Sequence, residues 1–345
     1  MNLSNRVILA IALLFIGWLF SWAIFAPKED PSNRIYQTLK QQEKQADLTF
    51  KDVTFEEIAQ GIKYWQLVAE SAMVNKSTQI ATLKTAHGTF FKGGSPVLRF
   101  RSPAALWDMK QKEILLDKPI GYDLSLEDKV NTLLKNIKQR SISSFTLPPN
   151  YLNGHGYWFA ANNLSWKVAT QQLLCTGQII LNKGEVTGLA ERLESDVALE
   201  HILLSNNAKV IIKLVDSFPV TQEAAVFEII SRQNLIKARG QPVLYWGKAK
   251  VTATNFSFSQ REETLKLDGN VTINYGDIWA FGQTGLYSLK TEEIILNGNA
   301  QAKQAENKLQ GNAIKVSLKN NSLAVIGKGK VVINEGNLKW ASNSK

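Results

Sequence analysis

The sequence predicts an all-β body behind one N-terminal transmembrane helix. Three observations carry that prediction: an uncharged apolar run close to the N-terminus, many short alternating or β-branched segments beyond it, and a glycine that returns every 29 residues in the last third. The 345 residues hold 40 Lys and Arg against 30 Asp and Glu, a net charge of +10, with 44% apolar residues. That composition suits a folded chain with a substantial core and argues against disorder. The cations are scattered singly rather than gathered beside aromatic platforms, which argues against nucleic acid as the partner. Cys175 is the single cysteine, so neither a disulfide framework nor a thiolate metal cage is expected.

The run VILAIALLFIGWLFSWAIFA at residues 7–26 has no charge. At about 1.5 Å per residue it spans about 30 Å, the thickness of the bilayer hydrocarbon. Trp18, Trp22 and Phe25 occupy positions where a signal peptidase needs small residues, so the run reads as an uncleaved anchor. Arg6 precedes it, whereas Lys28 behind it is offset by Glu29 and Asp30. The positive-inside rule therefore places the remainder outside the cytoplasm.

Residues 31–52 are polar, with Ile35 and Leu39 at helical spacing, and read as a stalk leading away from the membrane. Strand-like segments follow at 65–69, 89–91, 97–101, 113–116, 178–181, 209–215, 248–253, 265–273, 293–296, 314–318 and 330–333, separated by Gly, Asn and Lys-Gly turns. Residues 125–138 place Leu126, Val130, Leu133, Leu134 and Ile137 on one helical face, with Ser125 and Asp128 spaced like a capping box. Residues 224–236 fit either helix or strand. The sequence LPPNYLNGHG at 147–156 is dense in turn formers and reads as a linker. The expected organisation is tip and anchor at 1–30, stalk at 31–52, a first β module at 53–146, the linker, and a second β region at 157–345.

Gly240, Gly269, Gly298 and Gly327 are 29 residues apart, and Gly177 stands 29 before Asn206. Each unit is hairpin-sized and too small to bury its apolar face alone, so the units must stack. Stacked hairpins with apolar inward positions form either an open jellyroll with a continuous apolar groove or a closed sandwich whose inward residues pack only against one another. Side-chain parity assigns the lining. Trp65, Leu67 and Ala69 share one face, as do Leu98 and Phe100, Val271 and Ile273, and Ile314, Val316 and Leu318.

Sites for chemistry are sparse. His87, His155 and His201 are far apart in sequence and form no zinc motif, Cys175 lies among apolar neighbours, and no nucleophile elbow or P-loop occurs. The pairs Glu56-Glu57, Glu262-Glu263 and Glu292-Glu293 point to opposite faces of a strand rather than toward each other. No catalytic residue, metal or cofactor is expected.

The anchor, then WQLVAE at 65–70 and TFFKGGSPVL at 89–98, resemble LptC, the bitopic periplasmic subunit of the lipopolysaccharide exporter. GNVTI at 269–273, the segment Ala280 to Lys290, and ILNGN at 295–299 resemble the repeats of the OstA/LptA bridge proteins. The resemblance implies an open jellyroll, or β-taco, that receives lipopolysaccharide acyl chains (lipid A) from the permease subunits of an inner-membrane ABC exporter. It further implies hand-over to an OstA/LptA-like periplasmic bridge. Leu48 and Val53 would mark the edge facing the permease, and Val331 and Ile333 the edge facing the bridge. An acyl chain crossing water loses about 0.8 kcal/mol per methylene, so a carrier needs one unbroken dry surface. The alternative is a structural envelope β-solenoid without a lipid ligand.

Overall fold

The computed structural model describes residues 34–38, 40–41, 46–132, 156–213, 219–317 and 319–333. The expected anchor at 7–26, most of the linker, and Leu318 lie outside the described residues. The described strands are β1 (Leu48–Ala59), β2 (Ile62–Asn75), β3 (Ile80–Lys92), β4 (Ser95–Asp108), β5 (Glu113–Asp117), β6 (Ile120–Tyr122), β7 (Tyr157–Ala160) and β8 (Asn163–Lys167). They continue with β9 (Gln172–Lys183), β10 (Val186–Asp196), β11 (His201–Ile212), β12 (Val220–Ile230), β13 (Leu235–Arg239), β14 (Val243–Trp246), β15 (Ala249–Thr252) and β16 (Asn255–Ser259). The last are β17 (Thr264–Tyr275), β18 (Ile278–Ser288), β19 (Glu293–Gln304), β20 (Asn307–Ser317) and β21 (Ser322–Val332). All belong to one antiparallel sheet. The chain is all-β, and residues 224–230 are strand within β12.

Most strands bend once in the middle. In the β17–β18 pair Asp268 faces Thr284 and Val271 faces Gly282, so two residues oppose one and the ladder kinks. The bend falls at Gly269 and Asn270, with φ of +78° and +52°. Gly177, Asn206, Gly240, Gly298 and Gly327 also have positive φ, so the 29-residue recurrence seen in the sequence is a row of bends. One period is two bent strands, out to one wall and back. A bend every strand folds the sheet into a V with two walls and one corner. The front wall holds the half-strands from 53–59 through 62–69, 86–92, 95–102, β6, β7 and 179–183 to 271–275. The back wall holds those from 80–84 through 104–108, β5, β8 and 172–176 to 264–268.

The short pieces β5 with β6, and β7 with β8, are single bent strands broken at the corner. Through them the sheet crosses the segment expected to be a linker without interruption: β5 pairs with β8, and β6 with β7.

Two segments pack on the outside. Residues 34–38 and 40–41 are helical, and Ile35 is buried against Ala104, Leu106 and Leu115. Arg34 meets Asp108 at 3.2 Å and Tyr36 donates to Asp117 at 2.8 Å. The segment expected to lead away as a stalk is thus clamped to the outer face of β4 and β5, and β1 begins inside that span. Residues 124–126 form a 3-10 turn, followed by helix at 127–132. Its cap is Asp123, accepting from the Ser125 amide at 2.8 Å, rather than the Ser125 box that the spacing suggested. Leu126 and Val130 cover Ile120, Tyr122 and Trp158.

Candidate functional site: the interior between the walls

Parity places the apolar half of each strand on the inner face, and the two walls meet there. Trp65, Leu67, Ala69, Leu98, Phe100, Val271, Ile273, Ile314 and Val316 each expose 1% or less of their surface. All nine belong to one continuous apolar cluster that runs from β2 to β20. Their alternates face outward: Val97, Arg99 and Arg101 are only half-buried beside the buried Leu98 and Phe100. The walls touch directly. Trp65 of the front wall meets Trp107 of the back wall at 4.9 Å between ring centroids, and Phe90 meets Trp166 at 4.9 Å. The interior is therefore filled by the protein's own side chains, not left as an open channel.

Among the described residues the two ends of the sheet are unpaired strands. On β1, Leu48 and Phe50 are each 38% exposed and Val53 is half-buried; at the other end Val331 is 53% exposed and Ile333, just past β21, 52%. Exposed edge strands with apolar residues are ready to accept another strand.

Along the mouth of the V, polar side chains join the two rims. Lys112 at the back rim reaches Glu57 of the front wall at 3.4 Å. Lys92 at the front rim meets Glu200 at 3.0 Å and Asp196 at 3.6 Å on the back rim. Tyr157 donates to Ser231 at 2.7 Å, and Lys183 donates to the Asn234 side-chain oxygen at 3.2 Å. Near the far end Gln304 donates to the Asn321 carbonyl at 3.2 Å. Beneath the Tyr157 contact, a cavity of about 20 Å³ is lined by Leu181 and Val186 from one wall and by Ile229 and Ile236 from the other. Exposed pairs of this kind contribute about 0–1 kcal/mol each, so the seam is closed but weakly held. The hydrogen bond from Lys92 is the main cause holding Glu200 below the usual carboxylate range.

The sequence pattern did not reveal three donors inside the cluster. The Trp166, Trp246 and Tyr287 side chains are at least nine-tenths buried, and the two indole N–H groups and the phenol have no hydrogen-bond partner. Burial, then the charge of Glu292, pushes the Tyr287 hydroxyl up, so it stays protonated. An unmet buried donor costs about 1–3 kcal/mol. Cys175 is buried, and burial raises its thiol far out of the reactive range. Among the described residues no cluster of His, Cys, Asp and Glu has the makings of a metal site. Glu57 and Glu293 are held by Lys112 and Lys315 respectively. A cleft of about 700 Å³ on the outer face, beside Arg34, carries both signs of charge, with Arg192 paired to Glu194 at 2.6 Å.

A bent antiparallel sheet closed over a predominantly apolar interior, with both end strands unpaired among the described residues, defines a trough-shaped β protein of the jellyroll class. Residues 9–139 match the family described as lipopolysaccharide-assembly, LptC-related, and residues 159–322 match the family described as LptA/(LptD N-terminal domain) LPS transport protein. The chain is an LptC-like protein of lipopolysaccharide transport, with an LptC-related part and an LptA-related part in one sheet. Among solved structures it is similar to LptH of Pseudomonas aeruginosa, the LptA-homologous periplasmic component of the lipopolysaccharide transport device, at 18% identity and a TM-score of 0.31. That match covers 34% of this chain and 96% of the other. No curated protein matches.

Proposed function

We propose that this is a bitopic inner-membrane protein whose periplasmic trough takes lipopolysaccharide acyl chains from an ABC exporter and passes them to an OstA/LptA-like bridge protein. The observation that carries the reading is the single apolar interior running unbroken across the junction of the two matched parts, from β2 to β20. Residues 7–26 would anchor the chain, the β1 edge at Leu48 and Val53 would meet the permease subunits, and the β21 edge at Val331 and Ile333 would extend into the bridge by strand addition. Trp65, Leu67, Ala69, Leu98, Phe100, Val271, Ile273, Ile314, Val316 and Leu318 would form the lining. No step calls for catalysis.

Apolar walls facing water close on each other, because each exposed Å² of apolar surface costs about 25 cal/mol. An acyl chain that enters replaces wall-to-wall contact with wall-to-chain contact, an exchange near balance. What must be spent is the opening of the seam. Its exposed contacts are each worth only about 0–1 kcal/mol, and the row of bends is the natural hinge.

The filled interior also favours a second reading, a β-strut that binds no lipid. A photoreactive amino acid in place of Leu98 or Phe100 separates the two when lipid A is offered in vesicles. The carrier reading expects adducts from these positions and none from Arg99, which faces outward; no adducts from several inner positions would leave the strut.

A further inference from the structure

Trp166, Trp246 and Tyr287 share a feature beyond being unpartnered. Trp166 is next to the last residue of β8, Trp246 ends β14, and Tyr287 is next to the last residue of β18. All three donors therefore sit just inside the rims, Trp166 and Tyr287 on the back wall and Trp246 on the front. Deeper in, the lining is mostly hydrocarbon, as at Leu164, Leu267 and Val271, with the Cys175 thiol and the Gln222 amide as the exceptions. The fourth orphaned indole, Trp158, is different: it lies on the outer face beneath the helix at 127–132.

An amphiphile held with its tails between the walls and its head at the seam brings one part of each tail to this level, the few atoms that join tail to head. In an acyl lipid those atoms carry the oxygens: ester or amide carbonyls and hydroxyls close to the carboxyl end. A neutral donor in a dry place discriminates sharply, because it gains a bond only with a ligand that brings an acceptor to that depth. We propose that Trp166, Trp246 and Tyr287 are ligand-binding donors that select acyl chains hydroxylated near the head over chains without that hydroxyl. This rests on the lipid-carrier reading and adds the substrate class to it. Without ligand the donors are a liability, so Tyr287→Phe, which keeps the ring and removes the orphan, is expected to leave the melting temperature unchanged or higher.

The test is calorimetric titration of the full chain with 3-hydroxytetradecanoate and with tetradecanoate, two probes that differ in one hydroxyl. The proposal expects the hydroxylated probe to bind about three- to tenfold more tightly, the scale of one net hydrogen bond. In Tyr287→Phe and in the combined Trp166→Phe, Trp246→Phe, Tyr287→Phe variant, that ratio should fall toward one. Equal affinities in the unaltered protein, or a preference that survives in the combined variant, would overturn the donor assignment and leave the carrier reading standing. If neither probe binds, the carrier reading itself fails, and this inference with it.

Discussion

The first and last parts of the sheet solve one packing problem in two ways. Between β1 and β8 the walls are joined by rings: Trp65 and Phe55 of the front wall pack on Trp107 of the back wall at 4.9 and 5.4 Å, and Phe90, stacked on Phe100 at 4.6 Å within the front wall, meets Trp166 at 4.9 Å. Gly88, opposite Phe100 in the ladder, makes the room, since a Cβ there would lie 2.6 Å from the ring. Between β17 and β21 the lining, apart from Tyr287 at the rim, is Leu, Ile, Val and Ala, with regular bends, and burial fades until most of β21 is exposed. The outer face differs in the same sense, because Ile35, Leu126 and Val130 cover only the first part. The aromatic end, covered on its outer face, thus lies beside the helical residues 34–38, whereas the aliphatic end finishes in an exposed strand with no described strand beyond it.

That contrast predicts unequal costs. Phe100→Ala, measured by chemical denaturation, should lose about 3–5 kcal/mol, since it removes a ring packed between walls and strips the cover from Gly88. Ile314→Ala, equally buried but beside the fading edge, should lose about 2–3 kcal/mol because the neighbouring strands can relax into the space. Equal losses would mean that both ends are packed alike.

The bends sharpen the comparison at a smaller scale. Gly269→Ala meets two obstacles: a left-handed φ, costing about 1–2 kcal/mol, and the Thr254 hydroxyl 2.5 Å from the new Cβ. Gly327→Ala has the same φ of +78° with open space around it, so only the backbone cost of about 1–2 kcal/mol should appear. Thermal melts of the two variants check the order, which reverses if the Thr254 contact relaxes freely.

The seam gives the smallest effect and a sign with pH. Glu200 is held below its ordinary value of 4.5, first by Lys92 and also by Arg232, against the opposing effect of burial. A depressed carboxylate stabilises the fold at pH above that value and loses the effect as pH falls through its folded value. Glu200→Gln should therefore be slightly less stable than the unaltered protein at neutral pH, and the gap should close in acid. A gap that persists unchanged in acid would show that the seam contact is not ionic.

Much of this fold is legible in the sequence, because period-two alternation directly reports which side chains face inward: Leu98 and Phe100 against Arg99 and Arg101 is decided by parity alone. The 29-residue glycine recurrence marks the corner for the same local reason, a backbone that needs positive φ. Neighbouring resemblances mislead when they match composition without conformation. Ser125 looks like a cap, yet Asp123 does the capping, and the polar stretch containing Ile35 looks like a free stalk because its docking surface, Leu106 and Leu115, lies about 70 to 80 residues away. The seam is illegible for the same reason, since Lys92 finds Glu200 only once the sheet has folded over. Nor does alternation distinguish a vacant trough from one closed on itself, because both need the same apolar lining.

On the carrier reading, lipid can load only when the walls part at that seam. Lys183→Cys and Asn234→Cys place thiols on opposite rims, at partners now 3.2 Å apart, and the buried Cys175 will not compete for a maleimide. A cleavable bismaleimide across the mouth, followed by transfer of a photoreactive lipid A from vesicles, measures whether loading needs the seam to open. Loading should drop at least about tenfold when tethered, a barrier increase of about 1.4 kcal/mol, and return on cleavage. Undiminished loading of the tethered chain would contradict the account.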